Sequence, residues 1–223
     1  MVSPLQMRAM RLEIGKIAEA VGGSSPPTVN SIAALQKRMQ PGDILVMTGA
    51  PPPKGKENTP VGLVNKLFGA ASRKLQGGEY VHSAVYTGKG HITEIRGGED
   101  MSRKPLKMGL KYLDAQVVRP NVAPRKRQQA LKKLDKFVEE GATYDYKTLG
   151  AAAVAGPFGL KGKSYRSRIN DNQLICSNMV SRAYSGVKFN KDKDPELMMP
   201  ADFLRSHKVS PVATFHNPDR GAG

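Results

Sequence analysis

The chain opens with Met7, Met10, Ile14, Ile17 and Val21 spaced three and four apart, with Arg8, Arg11 and Lys16 off that face, a pattern that predicts a short amphipathic helix. Gly22-Gly23-Ser24-Ser25-Pro26-Pro27 breaks it. That helix either docks on its own domain or serves a protein partner or a membrane surface. A second short helix is expected, with Ser31 as N-cap and Leu35 and Met39 inward. Asp43-Ile44-Leu45-Val46-Met47 is a short apolar run after Pro41-Gly42 and reads as a buried strand. Pro51-Pro52-Pro53-Lys54-Gly55-Lys56 reads as linker. Thr59-Pro60 then starts a helix whose stripe is Val61, Val64, Leu67, Phe68, Ala71 and Leu75.

After Gly77-Gly78 the period changes from helical to alternating. Tyr80 to Tyr86 and His91 to Ile95 predict a strand pair, and Ala115 to Arg119 a further strand ended by Pro120. A loop of Gly88-Lys89-Gly90 would pair Thr87 with His91 and Ala84 with Glu94, which sets His82 and Glu94 on one face as diagonal neighbours. This register expects positive φ at Gly90. Pro124 opens a helix with Leu131, Leu134, Phe137 and Val138 on one side, stopped at Gly141. Its charges oppose the helix dipole, with Arg125-Lys126-Arg127 in the first turn and Glu139-Glu140 in the last, so this end is either a plain basic surface or an anion contact. Residues 147–170, rich in Gly, Ala and the basic Lys161, Lys163, Arg166 and Arg168, read as a loop. A helix from near Cys176 to Gly186 and a last strand, Val209 to Phe215, complete the pattern.

Composition narrows the class. With 223 residues, 39% hydrophobic and 24% charged, the chain suits one ordinary globular domain with extensions. One cysteine excludes an intrachain disulfide framework, and no Cys/His spacing suggests zinc. No apolar run is long enough to span a membrane, and Arg8, Arg11 and Glu13 interrupt the start, so neither a transmembrane segment nor a secretory signal is expected. The 35 Lys+Arg against 19 Asp+Glu give +16, a field that favours polyanions such as nucleic acid, anionic lipid or wall polymer. Arg125, Lys126, Arg127, Lys161, Lys163, Arg166 and Arg168 are the candidate contacts.

Three residues could carry chemistry. Cys176 stands near the start of a helix, where unpaired amides and the dipole acidify a thiol and can hold an oxyanion. His82 begins an apolar strand and Glu94 lies inside the returning one, both unfavourable positions without partners. A structural His–Glu pair explains two of them; a nucleophile, base and orienting carboxylate explain all three. Pairing of Cys176 with His207 or His216 is the competing order.

The series Gly42-Asp43-Ile44-Leu45, His82-Ser83-Ala84-Val85-Tyr86-Thr87-Gly88, Glu94, Tyr144-Asp145, Ile175-Cys176-Ser177, Tyr184 and Pro200-Ala201-Asp202-Phe203 resembles the circularly permuted NlpC-type papain-like hydrolases. That group includes YiiX/YebB-like proteins, poxvirus relatives and the lecithin:retinol acyltransferase-like enzymes. The resemblance covers roughly residues 40 to 215. It implies an α+β fold with a small antiparallel sheet packed on helices. Cys176 would be the nucleophile, His82 the base and acid, and Glu94 the orienting group. Ser177, Tyr144 and Tyr86 would serve the oxyanion or substrate. The expected domains are an N-terminal extension to residue 40, a hydrolase domain over 41–216 and a tail over 217–223. The expected activity is cleavage of an amide through a thioester, on peptidoglycan peptides or other acyl-amides, without cofactor or metal. A lipid acyltransferase, and a basic polyanion-binding or virion-associated module without catalysis, are the alternatives. The expected location is cytoplasmic or virion-associated.

Overall fold

A computed structural model describes residues 25–48, 80–97, 99–145 and 173–219. The expected helices over residues 1–21 and after Thr59, the 51–56 linker, the 147–170 loop and its four basic residues lie outside these stretches.

The protein is α+β. Seven strands form one sheet in the order β1-β9-β6-β2-β3-β4-β5. They are β1 (Thr28–Val29), β2 (Ile44–Thr48), β3 (Tyr80–Gly88), β4 (His91–Glu94), β5 (Ser102–Pro105), β6 (Ala115–Pro120) and β9 (Val209–Phe215). The helices are α1 (Ile32–Arg38), α2 (Leu106–Gly109), α3 (Pro124–Glu139), α4 (Cys176–Ala183) and α5 (Pro200–Leu204), with a 3-10 turn at Pro195–Leu197. β7 (Thr143–Tyr144) and β8 (Gln173–Leu174) make a separate short parallel pair.

β2 is apolar at nearly every position because both of its faces are covered. Ile44 and Val46 join Val85, Ile95 and Val118 in a layer with Leu134 of α3, Met179 and Val180 of α4 and Phe203 of α5. Leu45 and Met47 join Ala84, Tyr86, Ile92, Val117 and Phe215 in a second layer with Leu35 of α1 and Leu106 of α2. One alternating strand thus serves two cores.

Two expectations change here. The sheet is mixed, not wholly antiparallel, because β1 pairs parallel with β9 at one edge. The same pairing moves the folded body's start well before residue 41: Pro27 and Val29 carbonyls accept from Thr214 and His216 amides, and Leu35 is fully buried. At the other end, Asn217 donates from its backbone to Asp114 and from its side chain to the Leu110 carbonyl, which ties down the start of the expected tail.

The β3–β4 hairpin keeps the expected interior register, with Val85 opposite Thr93 and Tyr86 opposite Ile92. At the tip Gly88 pairs with His91, so the loop is only Lys89-Gly90 and Thr87 forms a bulge. Positive φ at both Lys89 (50°) and Gly90 (74°) suits the tight turn that matches strand twist, and the bulge absorbs the extra residue.

Candidate active site

Asn178 fixes where helix α4 begins. Its side-chain oxygen accepts from the Ile175 amide at 2.8 Å, and its side-chain nitrogen donates to Glu196 at 3.1 Å. Cys176 is therefore the first helical residue, and the amides of the first turn have no acceptor within the helix. Helix α4 packs on the sheet face that carries Val85. The thiol interacts with the His82 side chain and with both the amide and the hydroxyl of Ser83. His82 and Ser83 alternate across the strand, so a sulfur that meets both lies beside β3 rather than squarely over one face of the sheet.

On its other side His82 meets Glu94, Nε2 to Oε2 at 2.8 Å. That bond occupies Nε2 and leaves Nδ1 as the nitrogen able to exchange a proton with the thiol. Glu94 is 1% exposed and is held from behind. Arg96 donates from Nε to Glu94 Oε1 at 2.9 Å and from Nη2 to the Gly109 carbonyl at 2.7 Å. Lys104 of β5 lies 3.6 Å from the same Oε1.

These contacts decide protonation. Burial pushes the His82 imidazolium to lose its proton, but hydrogen bonds and charge from Cys176 and Glu94 outweigh it and hold the group at about 8. Burial pushes Glu94 up; His82 and Arg96 overcome it and bring the carboxyl to about 2. Burial likewise pushes the Cys176 thiol up, and the His82 hydrogen bond, its charge and Ser83 pull it below its ordinary value. The arrangement favours thiolate beside imidazolium beside carboxylate.

The remaining candidates separate. Ser177 is buried and its hydroxyl donates to the Met198 carbonyl, so only its first-turn amide is left to face an oxyanion. Tyr144 pairs with Leu174 just ahead of Cys176 and packs on the same core. Tyr86 does not belong to the site: it lies four residues along β3 from His82, about 13 Å at the strand rise, and its hydroxyl accepts from the Gly90 amide. Its signal in the sequence is structural. His91, bonded from Nδ1 to the Lys89 carbonyl, and His216, 3.5 Å from Asp114, are engaged elsewhere; His207 is exposed. Arg125 is exposed at the start of α3, whereas Arg127 is half-buried and donates to Gln40 at 3.2 Å.

Other parts of the resembling motif are scaffold. Asp43 is fully buried, takes two 2.8 Å bonds from Arg119 and accepts from the Gln40 amide at 2.7 Å. Tyr184 donates to the Gly42 carbonyl. Asp202 accepts from Lys193 and from the Met199 amide, which starts α5. Arg96 and Lys104 were not singled out from the sequence. Arg96 shares alternation with Glu94 and was detectable; Lys104 was not, because Ser-Arg-Lys-Pro carries no apolar alternation and its strand is defined by pairing with β4.

Among the described residues no cluster of His, Cys, Asp or Glu is arranged to hold a metal ion, and no helix is long and apolar enough to cross a membrane. The chain matches no protein-family model and no curated protein.

Proposed function

We propose that the protein is a cysteine hydrolase of acyl-amide bonds, working as the permuted papain-like enzymes it resembles do. The observation that supports this most is His82 interposed between the buried Glu94 carboxylate and the chain's one cysteine at the first position of a helix. In the reaction the thiol proton passes to His82 and the sulfur attacks the acyl carbon, with first-turn amides of α4 receiving the developing oxyanion. Collapse breaks the C–N bond, His82 protonates the departing amine, and a thioester remains. Water attacks it, giving its proton to His82; the acid departs and the proton returns to sulfur. Glu94 holds the ring orientation and stabilises its cationic form throughout. Peptides of peptidoglycan are the substrate class we favour, with N-acyl lipids as the comparison. The test is covalent labelling by an acyl-directed thiol probe, followed by hydrolysis assays on peptidoglycan fragments and N-acyl lipids. Labelling at Cys176 that His82→Ala abolishes supports the reading. Labelling no faster than free cysteine overturns it.

A second reading, a polyanion-binding surface, is favoured by one observation. A concavity of about 390 Å³ beside the end of α4 is lined by Lys126, Lys132 and Lys133 with Gln129, Ala183 and Ser185, with no carboxylate among the described lining residues. Three lysines gathered on one surface present concentrated positive charge to a polyanion.

A further inference from the structure

Two buried side-chain oxygens among the described residues have no hydrogen-bond partner, Ser83 Oγ and Thr93 Oγ1. Both residues are fully buried. They lie on adjacent strands, since Thr93 faces Val85 across the hairpin and Ser83 is two residues from Val85 on the same side. That side is the one covered by α4. Apolar replacement would relieve the cost of burying either hydroxyl, so the presence of each calls for a reason. Ser83 lies opposite Val46 and two residues from Val85, both in the apolar layer under α4, where alanine would remove only the hydroxyl.

The Cys176 sulfur lies close enough to Ser83 for the serine's amide and hydroxyl to pull the thiol below its ordinary value, without a formed hydrogen bond to Oγ. A neutral thiol is a weak acceptor and does not satisfy the hydroxyl; a thiolate is a strong one. We propose that Ser83 is a thiolate-stabilising residue, its Oγ–H and backbone N–H donating together to the Cys176 sulfur once its proton has moved to His82. The unsatisfied hydroxyl biases the pair in one direction, because ionisation of Cys176 gives it the acceptor it lacks. His82 and Ser83, adjacent in the chain, thus divide the work: one removes the proton and the other holds the charge left behind. The proposal rests on the reading of Cys176 as a thiolate nucleophile.

Because the chain has a single cysteine, alkylation by iodoacetamide reads one site in the full-length protein, and the pH dependence of its rate reports thiolate formation. Ser83→Ala is expected to move the midpoint of that profile upward by about one unit, with no loss of melting temperature. Ser83→Thr, which keeps the hydroxyl, should stay near the wild-type midpoint. Thr93→Val, which removes the other unpartnered hydroxyl, should leave the profile unchanged. Thiolate ultraviolet absorbance, taken as a difference against Cys176→Ser, gives the same midpoint independently of reagent access. An unchanged midpoint in Ser83→Ala, or an equal shift in Thr93→Val, overturns the role of Ser83 while leaving the nucleophile reading intact. A wild-type midpoint at the value of an ordinary thiol, about 8.5, overturns the nucleophile reading itself.

Discussion

Glu94 is a buried carboxylate gripped by His82, Arg96 and Lys104, and the balance among these charges sets how basic the imidazole is. Glu94→Gln keeps the shape and removes the anion, leaving two cations close to the ring. His82, held at about 8 with the carboxylate present, then loses its proton more easily. Thiolate–imidazolium exists only below the pH at which His82 deprotonates, so the alkaline limb of activity near 8 should move down by about one unit or more in this variant. Turnover should fall by roughly 100-fold with a smaller change in KM. An alkaline limb that stays in place removes Glu94 from the mechanism. Cys176→Ala should abolish turnover while costing only about 1 kcal/mol of stability, read from chemical denaturation, because little volume is lost. Stability carries its own signature of this pair. The Glu94 carboxyl, usually near 4.5, is held at about 2, so its contribution is complete above 4.5 and lost as pH falls through about 2. The His82 imidazolium, usually near 6.5, is held at about 8, so its contribution is complete below 6.5 and lost as pH rises through about 8. Thermal melts should therefore peak between about pH 4.5 and 6.5, a peak that flattens in a His82→Ala, Glu94→Ala double variant.

The elements that hold the site depend on close backbone approaches. Gly42 has φ of +95°, and a Cβ there would lie 2.7 Å from the Tyr184 hydroxyl and 3.2 Å from Arg127 Cβ. Gly42→Ala should destabilise the fold by about 1–3 kcal/mol, seen as a lower denaturation midpoint, because the turn into β2 and the end of α4 must part. Leu35 of α1 is fully buried against the face opposite α4, and Leu35→Ala should cost about 2–5 kcal/mol. A surface-like cost there would mean that α1 is an appendage. Regular alternation and helical spacing made β2, β3, β4, β6, α3 and α4 readable in the sequence, and with them His82, Glu94 and Cys176. Elements formed by pairing alone were not readable. Two-residue β1 exists because Pro27 and Val29 carbonyls meet the amides of β9, and polar β5 because it lies against β4. A boundary near residue 40 followed from where motifs begin, whereas packing begins where backbone partners are found. Arg96, Lys104 and Ser83 have roles defined by what surrounds them in space, which a single sequence does not display; Tyr86, adjacent to a functional motif, turned out to brace the hairpin.

The charge of +16 acts over the whole surface, and among the described residues the concavity beside α4 gathers three lysines in one place. Lys132 and Lys133 are exposed and Lys126 half-buried, so the ammonium groups are hydrated until an anion displaces that water. At ordinary ionic strength a free surface charge is screened within about 8–10 Å. Diffuse attraction and a built contact therefore differ in how they respond to replacement. For duplex DNA used as a generic polyanion, log affinity should fall linearly with log salt. Replacing Lys126, Lys132 and Lys133 together with Gln should shrink that slope by about 2 to 3 if each lysine neutralises one phosphate. The same triple change made at Arg103, Lys107 and Lys111, on other elements, lowers net charge equally and should change the slope less. Equal effects from both sets would make the attraction a property of net charge alone, and no binding at low salt would remove the polyanion reading. None of these replacements touches His82, Glu94 or Cys176, so probe labelling should persist in both triple variants, which separates the basic surface from the chemistry.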